Sequence, residues 1–198
     1  MRIDIAVFDG IDELDVVGPC ETLRAAPGGA FDVRVVSRTP QPFVTGQHAM
    51  RIAVDSVYEP GRAELLLVVG GGWVKRNPVG VRGEIARGDW RPLLVAAAAR
   101  GTILASVCTG AMLLSDAGLT TGRRVATHHA AWDDLRASGA ILVNERVVDD
   151  GDLLSCGGVT SGIDLGLYII ERFVSLAEAE RIATHLEFTR FRPERRAT

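Results

Sequence analysis

Lysine is almost missing from this chain of 198 residues: Lys75 is the only one, and arginine carries nearly all the positive charge. The arginines are scattered and balanced by acids to a net charge of −3, so no basic footprint for nucleic acid or an anionic membrane is visible. Cysteine is also scarce. Cys20, Cys108 and Cys156 are odd in number and widely spaced, which excludes a disulfide framework and suits free thiols in a reducing cytoplasm. With four scattered histidines and no C-x-x-C, no zinc site is expected, and no other metal or cofactor is indicated. No apolar run approaches the length of about 18 residues needed for a transmembrane helix. The opening MRIDIAVFDG lacks a signal-peptide core and enters a strand pattern directly. These absences lead us to expect a cytoplasmic protein with no nucleic-acid or membrane partner.

What is present is a globular composition, 47% hydrophobic and 24% charged. It is arranged as alternating strand-like and helix-like segments. Buried strands are expected at Ile3–Phe8, Phe31–Ser37, Glu64–Val69, Thr102–Val107 and Leu153–Cys156. Shorter strand material is expected at Met50–Asp55 (a hairpin arm or edge strand), Arg124–Thr127 and Ala140–Val148. Helices are expected at Leu14–Ala26, Trp90–Arg100, after Cys108, near Ala130–Ala137, and over Gly162–Phe173 and Leu176–Thr189. Strands alternating with helices argue for an α/β fold: a doubly wound, mainly parallel sheet, flavodoxin-like in its three layers. We take residues 1–190 as one domain and 191–198 as a solvated basic tail.

Ligands of such sheets bind beyond the carboxyl ends of the strands, and three segments converge there. In SVCTG, Cys108 ends a strand and Thr109-Gly110 lead at once into a helix, the context of a nucleophile elbow. A helix N-terminus favours negative charge, so the sequence predicts an ionised, reactive thiol; the structural alternative is a small core residue. Gly70-Gly71-Gly72 follow the most apolar strand and can offer N–H groups to charge developing near Cys108. They lack the spacing of a dinucleotide fingerprint and the Lys-Ser/Thr of a P-loop. ELDVVGP places Glu13 and Asp15 at the start of the first helix. Either is a cap in its ordinary reading, or Asp15 faces the thiol and moves protons. A carboxyl facing a thiolate would have its pKa raised by the like charge and by burial. Trp73 reads as a pocket wall or a sheet-edge cover, and His128 and His129 as pocket or structural histidines. Asp164 reads as a cap or first-turn acid, and Cys20 and Cys156 as core thiols.

The glycine loop, SVCTG, LDVVGP and GGVTSGID together resemble the ThiJ/PfpI superfamily, with its class I glutamine amidotransferase-like fold, over about Ile3–Arg190. VCTG, the Asp of LDVVGP, ATHHAAW and VNERVV (Val143–Val148) look most like the isonitrile hydratase-like subgroup. Many members carry His after the cysteine; Thr109 stands there instead and cannot act as a base near neutral pH, which counts against Cys-His hydrolase chemistry. Many others have Glu where this chain has Asp15, and Pro-Gly-Gly where it has Gly70–Gly72.

The resemblance implies cofactor-free hydration of a small-molecule isonitrile. In it Cys108 is the nucleophile, Asp15 the acid/base and Thr109 positions water, with Gly71, Gly72, Trp73 and His128 around the substrate. An apolar pocket for a small hydrocarbon group is expected, and the superfamily habit implies a homodimer. The alternative is a non-catalytic, ligand- or redox-sensing domain of the same type.

Overall fold

A computed structural model describes residues 1–74 and 77–191. The chain begins with β1 (Arg2–Val7), α1 (Glu13–Arg24) and β2 (Asp32–Ser37), then a hairpin of β3 (Phe43–Thr45) and β4 (Arg51–Ala53), and β5 (Ser56–Val57). β6 (Leu65–Val68), α2 (Val81–Arg87), α3 (Trp90–Ala99), β7 (Ile103–Ser106) and α4 (Ala111–Asp116) follow. Next come β8 (Arg124–Val125), α5 (Trp132–Ala137), β9 (Ile141–Leu142), β10 (Val147–Asp149), β11 (Leu153–Cys156), α6 (Ser161–Phe173) and α7 (Leu176–His185).

Seven strands form the main sheet in the order β10-β11-β7-β6-β1-β2-β5, parallel except for β10 against β11. The doubly wound α/β reading is therefore correct. The chain leaves β1 toward β2 on one side and resumes at β6 on the other. Right-handed crossovers in opposite directions put α1 and α3 on opposite faces. Helices α1, α6 and α7 pack together, as do α2, α3 and α4. The central strands read as continuous apolar runs because both faces are covered: all of Leu65–Val68 is buried. Helices α1 and α6 meet through small residues, and a Cβ on Gly166 would lie 2.9 Å from Thr22 Cβ.

The register matters most for the site. Ala6 pairs with Val68, Val68 with Ser106, and Ser106 with Ser155, so β1, β6, β7 and β11 end level with one another. The loops that follow them open into one crevice, at the point where strand order reverses.

Several elements differ from expectation. The 140–148 stretch is two strands: β9 pairs with β8 in a small separate sheet and β10 joins the main one. Met50–Asp55 contains β4, the second arm of a hairpin whose first arm, β3, was not anticipated. Helix α2 was missed because Gly83 interrupts its periodicity; a Cβ there would lie 2.1 Å from the Pro78 carbonyl oxygen. The last helix stops at His185 rather than Thr189, and Glu187 just beyond it adopts φ +51°. Apart from Phe191, the expected basic tail lies outside the described residues.

Candidate active site

The β7–α4 connection is a strained elbow. The ladder runs on past β7: Val107 N–H donates to Val68 O at 3.0 Å and Cys108 N–H to Gly157 O at 2.9 Å. Cys108 then adopts φ +55°, a region costly for any residue with a Cβ. A 3₁₀ turn, Cys108–Gly110, leads into α4. It passes so close to β6 that a Cβ on Gly110 would lie 2.2 Å from Val68 O, so only glycine fits. The Thr127 hydroxyl pins the Cys108 carbonyl at 2.8 Å. This turn lifts Sγ toward the crevice, where the backbone N–H groups of Thr109 and Val159 reach it.

Asp15 sits beneath the sulfur. The helix cap is Asp12, whose carboxylate accepts from Leu14 N at 3.1 Å, which leaves Asp15 to another partner. Its side chain is fully buried, Oδ2 accepts from Gly70 N at 2.9 Å, and its charge is felt at the Cys108 thiol. Oδ1 has no protein partner among the described residues. Burial first, and the nearby Asp12 charge second, hold the Asp15 carboxyl well above its ordinary value. Burial and then the Asp15 charge push the Cys108 thiol up to about 12.

That corrects the ionised thiol expected from the sequence. The helix-end argument neglected burial: Cys108 is 5% exposed, and desolvation outweighs the two amides that favour a thiolate. The pair therefore does not rest as separate thiolate and carboxylate at neutral pH. The sulfur must lose its proton as it forms a bond, and the Asp15 carboxyl beside it is placed to carry that proton.

The glycine loop serves this pair in a different way than anticipated. The point that a Cβ on Gly70 would occupy lies 2.7 Å from Thr109 Oγ1 and 2.9 Å from Asp15 Oδ2. Glycine is required there because those two side chains close in from both sides. Gly71 N–H donates to Thr109 Oγ1 at 3.1 Å, so it orients the hydroxyl instead of facing charge at the sulfur. The amides on the sulfur come from Thr109 and from Val159. Val159 was not singled out; its signal was the position of GGVTSG directly after a strand level with the cysteine.

Cys108 and Thr109 open into a pocket of about 320 Å³, walled by Gly71, Gly72, Trp73, Val159 and His128. Trp73 is braced from outside: Nε1 donates to Asp134 Oδ2 at 3.1 Å, and the Arg82 guanidinium lies 3.7 Å from the ring centre. His128 combines both readings offered for it. Its Nδ1 accepts from Ala130 N at 3.2 Å while its ring lines the pocket. Burial, then His129, lowers its pKa and favours the neutral ring. His129 stacks on it at 4.2 Å without lining the pocket.

More of the pocket wall is apolar than polar, in keeping with the expected room for a hydrocarbon group, but polar side chains reach it as well. Asp12, Gln47, His48, Val74 and Asn77 form the rest of its lining. The hairpin tip that carries Gln47 and His48 is held by Glu13, whose buried Oε1 accepts from His48 N at 2.8 Å. Asp164 is a first-turn acid of α6 rather than its cap; it is buried, and accepts from Arg146 Nε at 2.7 Å and from Phe191 N at 2.8 Å. Cys20 and Cys156 are buried, as expected of core thiols. Among the described residues no cluster of His, Cys, Asp or Glu suits a metal ion.

Residues 1–172 match the DJ-1/PfpI family. The chain is 31% identical to isonitrile hydratase of Pseudomonas putida over 188 residues, covering 95% of this chain and 78% of that protein. It is 27% identical to a deglycase of Pyrococcus abyssi over 78% of this chain and 89% of the relative. In structure it superposes on a ThiJ/PfpI family protein from Pseudomonas syringae with a TM-score of 0.83 at 24% identity, over 100% of this chain and 78% of that one. Oxidized DJ-1 of Toxoplasma gondii gives 0.80 at 20% identity, over 95% and 98%. The strand order, the elbow and the sequence match agree: this chain belongs to the DJ-1/PfpI family, whose members similar to it include enzymes of at least two kinds.

Proposed function

We propose that the protein hydrates an isonitrile to an N-substituted formamide, with no metal or organic cofactor. The observation that carries this reading is the buried Asp15 carboxyl set against the Cys108–Thr109 turn, with Asp15 Oδ2 and Thr109 Oγ1 within 2.9 Å and 2.7 Å of one point beside Gly70. The similarity to isonitrile hydratase supports the choice of substrate. In the first step the Cys108 sulfur bonds to the terminal carbon of R–N≡C and one proton reaches that carbon through Asp15, giving the thioimidate R–N=CH–S–Cys108. Coupling attack to proton transfer removes the need for a free thiolate, which burial disfavours.

Water then adds to the imidate carbon. The Asp15 carboxylate takes its proton, and Thr109, held by Gly71 N–H, positions it. Asp15 passes that proton to the imidate nitrogen, giving R–NH–CH(OH)–S–Cys108; the C–S bond then breaks as the hydroxyl proton passes through Asp15 to the sulfur, releasing R–NH–CHO and restoring the thiol. The departing sulfur is met by the N–H groups of Thr109 and Val159, an arrangement of oxyanion-hole type. Trp73 and His128 wall the substrate, and Gly71 and Gly72 keep the backbone close.

A redox-sensing role is less well supported, since a sensor needs an exposed thiolate and Cys108 is buried with a raised pKa. We further propose a homodimer. Leu14 and Val17 on α1 and Met50 beside them are exposed apolar residues suited to a second copy. Among the described residues no helix is long and apolar enough to cross a membrane.

The test is incubation with cyclohexyl isocyanide and detection of N-cyclohexylformamide. Wild-type protein is expected to form it and Cys108→Ala is not. No turnover by the wild type, or equal turnover by the variant, overturns the proposal.

A further inference from the structure

Cys108, Asp15 and Thr109 fix the reacting chemistry, and the pocket that holds the cysteine carries other polar side chains as well. Four side chains there have one polar end already committed to neighbouring protein atoms. Asn77 Oδ1 accepts from Val79 N at 3.1 Å, so the amide N–H groups remain for a ligand. His128 Nδ1 accepts from Ala130 N, which leaves Nε2–H as the donor of the neutral ring. Gln47 Nε2 donates to Asp12 Oδ2 at 2.6 Å, which leaves the Gln47 carbonyl as an acceptor beside the Asp12 carboxylate. Asp12 is itself held, by the cap bond from Leu14 N and by its own N–H to Gly70 O at 2.9 Å. All four line the one pocket that holds Cys108.

From this set of locally fixed donors and acceptors we infer that the substrate's R group is polar. It carries at least one neutral hydroxyl, amide or similar group able both to donate and to accept, and is not a bare hydrocarbon. The inference rests on the isonitrile reading for the reacting group and adds the class of the R group. A hydrocarbon placed there would strip water from these four side chains and return no hydrogen bond. A hydroxyl donates to Gln47 or Asp12 and accepts from Asn77 or His128. Gln47 is exposed and Asp12, Asn77 and His128 half-buried, so a bound ligand is what covers them, and one that offers no hydrogen bond leaves the covered groups unpaired.

The test compares cyclohexyl isocyanide with hydroxycyclohexyl isocyanide, which share one ring and one reacting group, as substrates of the full chain. In parallel, calorimetry compares binding of the two matching formamides. The hydroxylated member of each pair is expected to be favoured by about tenfold or more, the worth of one or two neutral hydrogen bonds. Gln47→Leu, and Asn77→Asp (which keeps the acceptor for Val79 N but loses the amide donors), are each expected to reduce that preference to about threefold or less.

Equal or inverted preference in the wild type overturns the inference, and so does a preference that both variants leave unchanged. If neither isonitrile turns over, the hydration reading fails, while the formamide arm still decides whether the pocket holds a polar subsite.

Discussion

The floor and the rim of the pocket are built from different materials. On the floor, Asp15, Gly70, Cys108 and Thr109 sit on or directly after the central strands and α1. Each is buried and held by hydrogen bonds: Gly70 to Asp15, Thr109 to Gly71, and the Cys108 backbone to Gly157 and Thr127. On the rim, Gln47 and His48 ride the tip of the β3–β4 hairpin and Asn77 a loop. They are exposed or half-buried, and hydrogen bonds to immediate neighbours orient Gln47 and Asn77. The floor spends burial and backbone strain on fixing a chemical step, whereas the rim fixes only what a ligand meets. Changes to the floor should therefore act on the rate of the bound complex, and changes to the rim on affinity and choice of substrate.

The largest effect short of removing the sulfur is expected from Asp15→Asn. It keeps an acceptor for Gly70 N–H but cannot carry the proton, and turnover should fall by about 10²–10⁴-fold. The same variant separates function from stability. Because the folded pKa of Asp15 is raised above its ordinary 3.8, its contribution to stability is present below that value and is lost as pH rises through the folded one. Asp15→Asn should melt at a higher temperature than wild type at pH 8, with the gain disappearing toward pH 4. Thermal melts at the two pH values check this.

Gly70→Ala comes next. A methyl group 2.7 Å from Thr109 Oγ1 and 2.9 Å from Asp15 Oδ2 must push one of them aside. Misplacement of that order costs about a hundredfold in kcat, which steady-state kinetics on the folded variant will show. A third expectation concerns the thiol alone. With its pKa pushed up to about 12, Cys108 should be alkylated by iodoacetamide more slowly than a free cysteine at neutral pH. Its rate should go on climbing at pH values where a free thiol, with a pKa of about 8.5, has levelled off. The smallest effect belongs to the rim: Gln47→Leu should change KM for a polar isonitrile by about fivefold to tenfold and leave kcat nearly unaltered.

The same division governs how much could be read from the sequence. The floor is legible because its parts are contiguous and local: an apolar run ending in three glycines, and a strand–Cys–Thr–Gly–helix passage. Asp15 was half legible. Its place on the first turn of a helix follows from the pattern, but Glu13 and Asp15 read equally as caps, and only the family resemblance singled out Asp15; the actual cap is Asp12. The thiol's charge state was misread because a helix N-terminus is visible in a sequence and burial depth is not. Gly71 was assigned to the sulfur when its N–H is turned to Thr109, since which way an amide faces depends on φ, here +134°.

The rim could not be read at all. Gln47 and Asn77 belong to irregular segments about thirty residues or more from the cysteine in sequence. Register between β1, β6, β7 and β11, together with the Glu13 hold on the hairpin tip, brings them to the same crevice. Val159 arrives by the same route.

The central claim is that the Cys108 sulfur forms the bond to substrate carbon while Asp15 moves the proton. Mass spectrometry of intact Thr109→Val protein mixed with cyclohexyl isocyanide tests it most directly, because this variant keeps Asp15 for the first proton transfer but loses the hydroxyl that positions the attacking water, so the thioimidate should accumulate. The account predicts a gain equal to one whole isonitrile, located on Cys108 and absent both from the Thr109→Val, Cys108→Ala double variant and from the Thr109→Val, Asp15→Asn one. Formamide release by Cys108→Ala protein at the wild-type rate, or an adduct that forms at Cys20 or Cys156 instead, would contradict it.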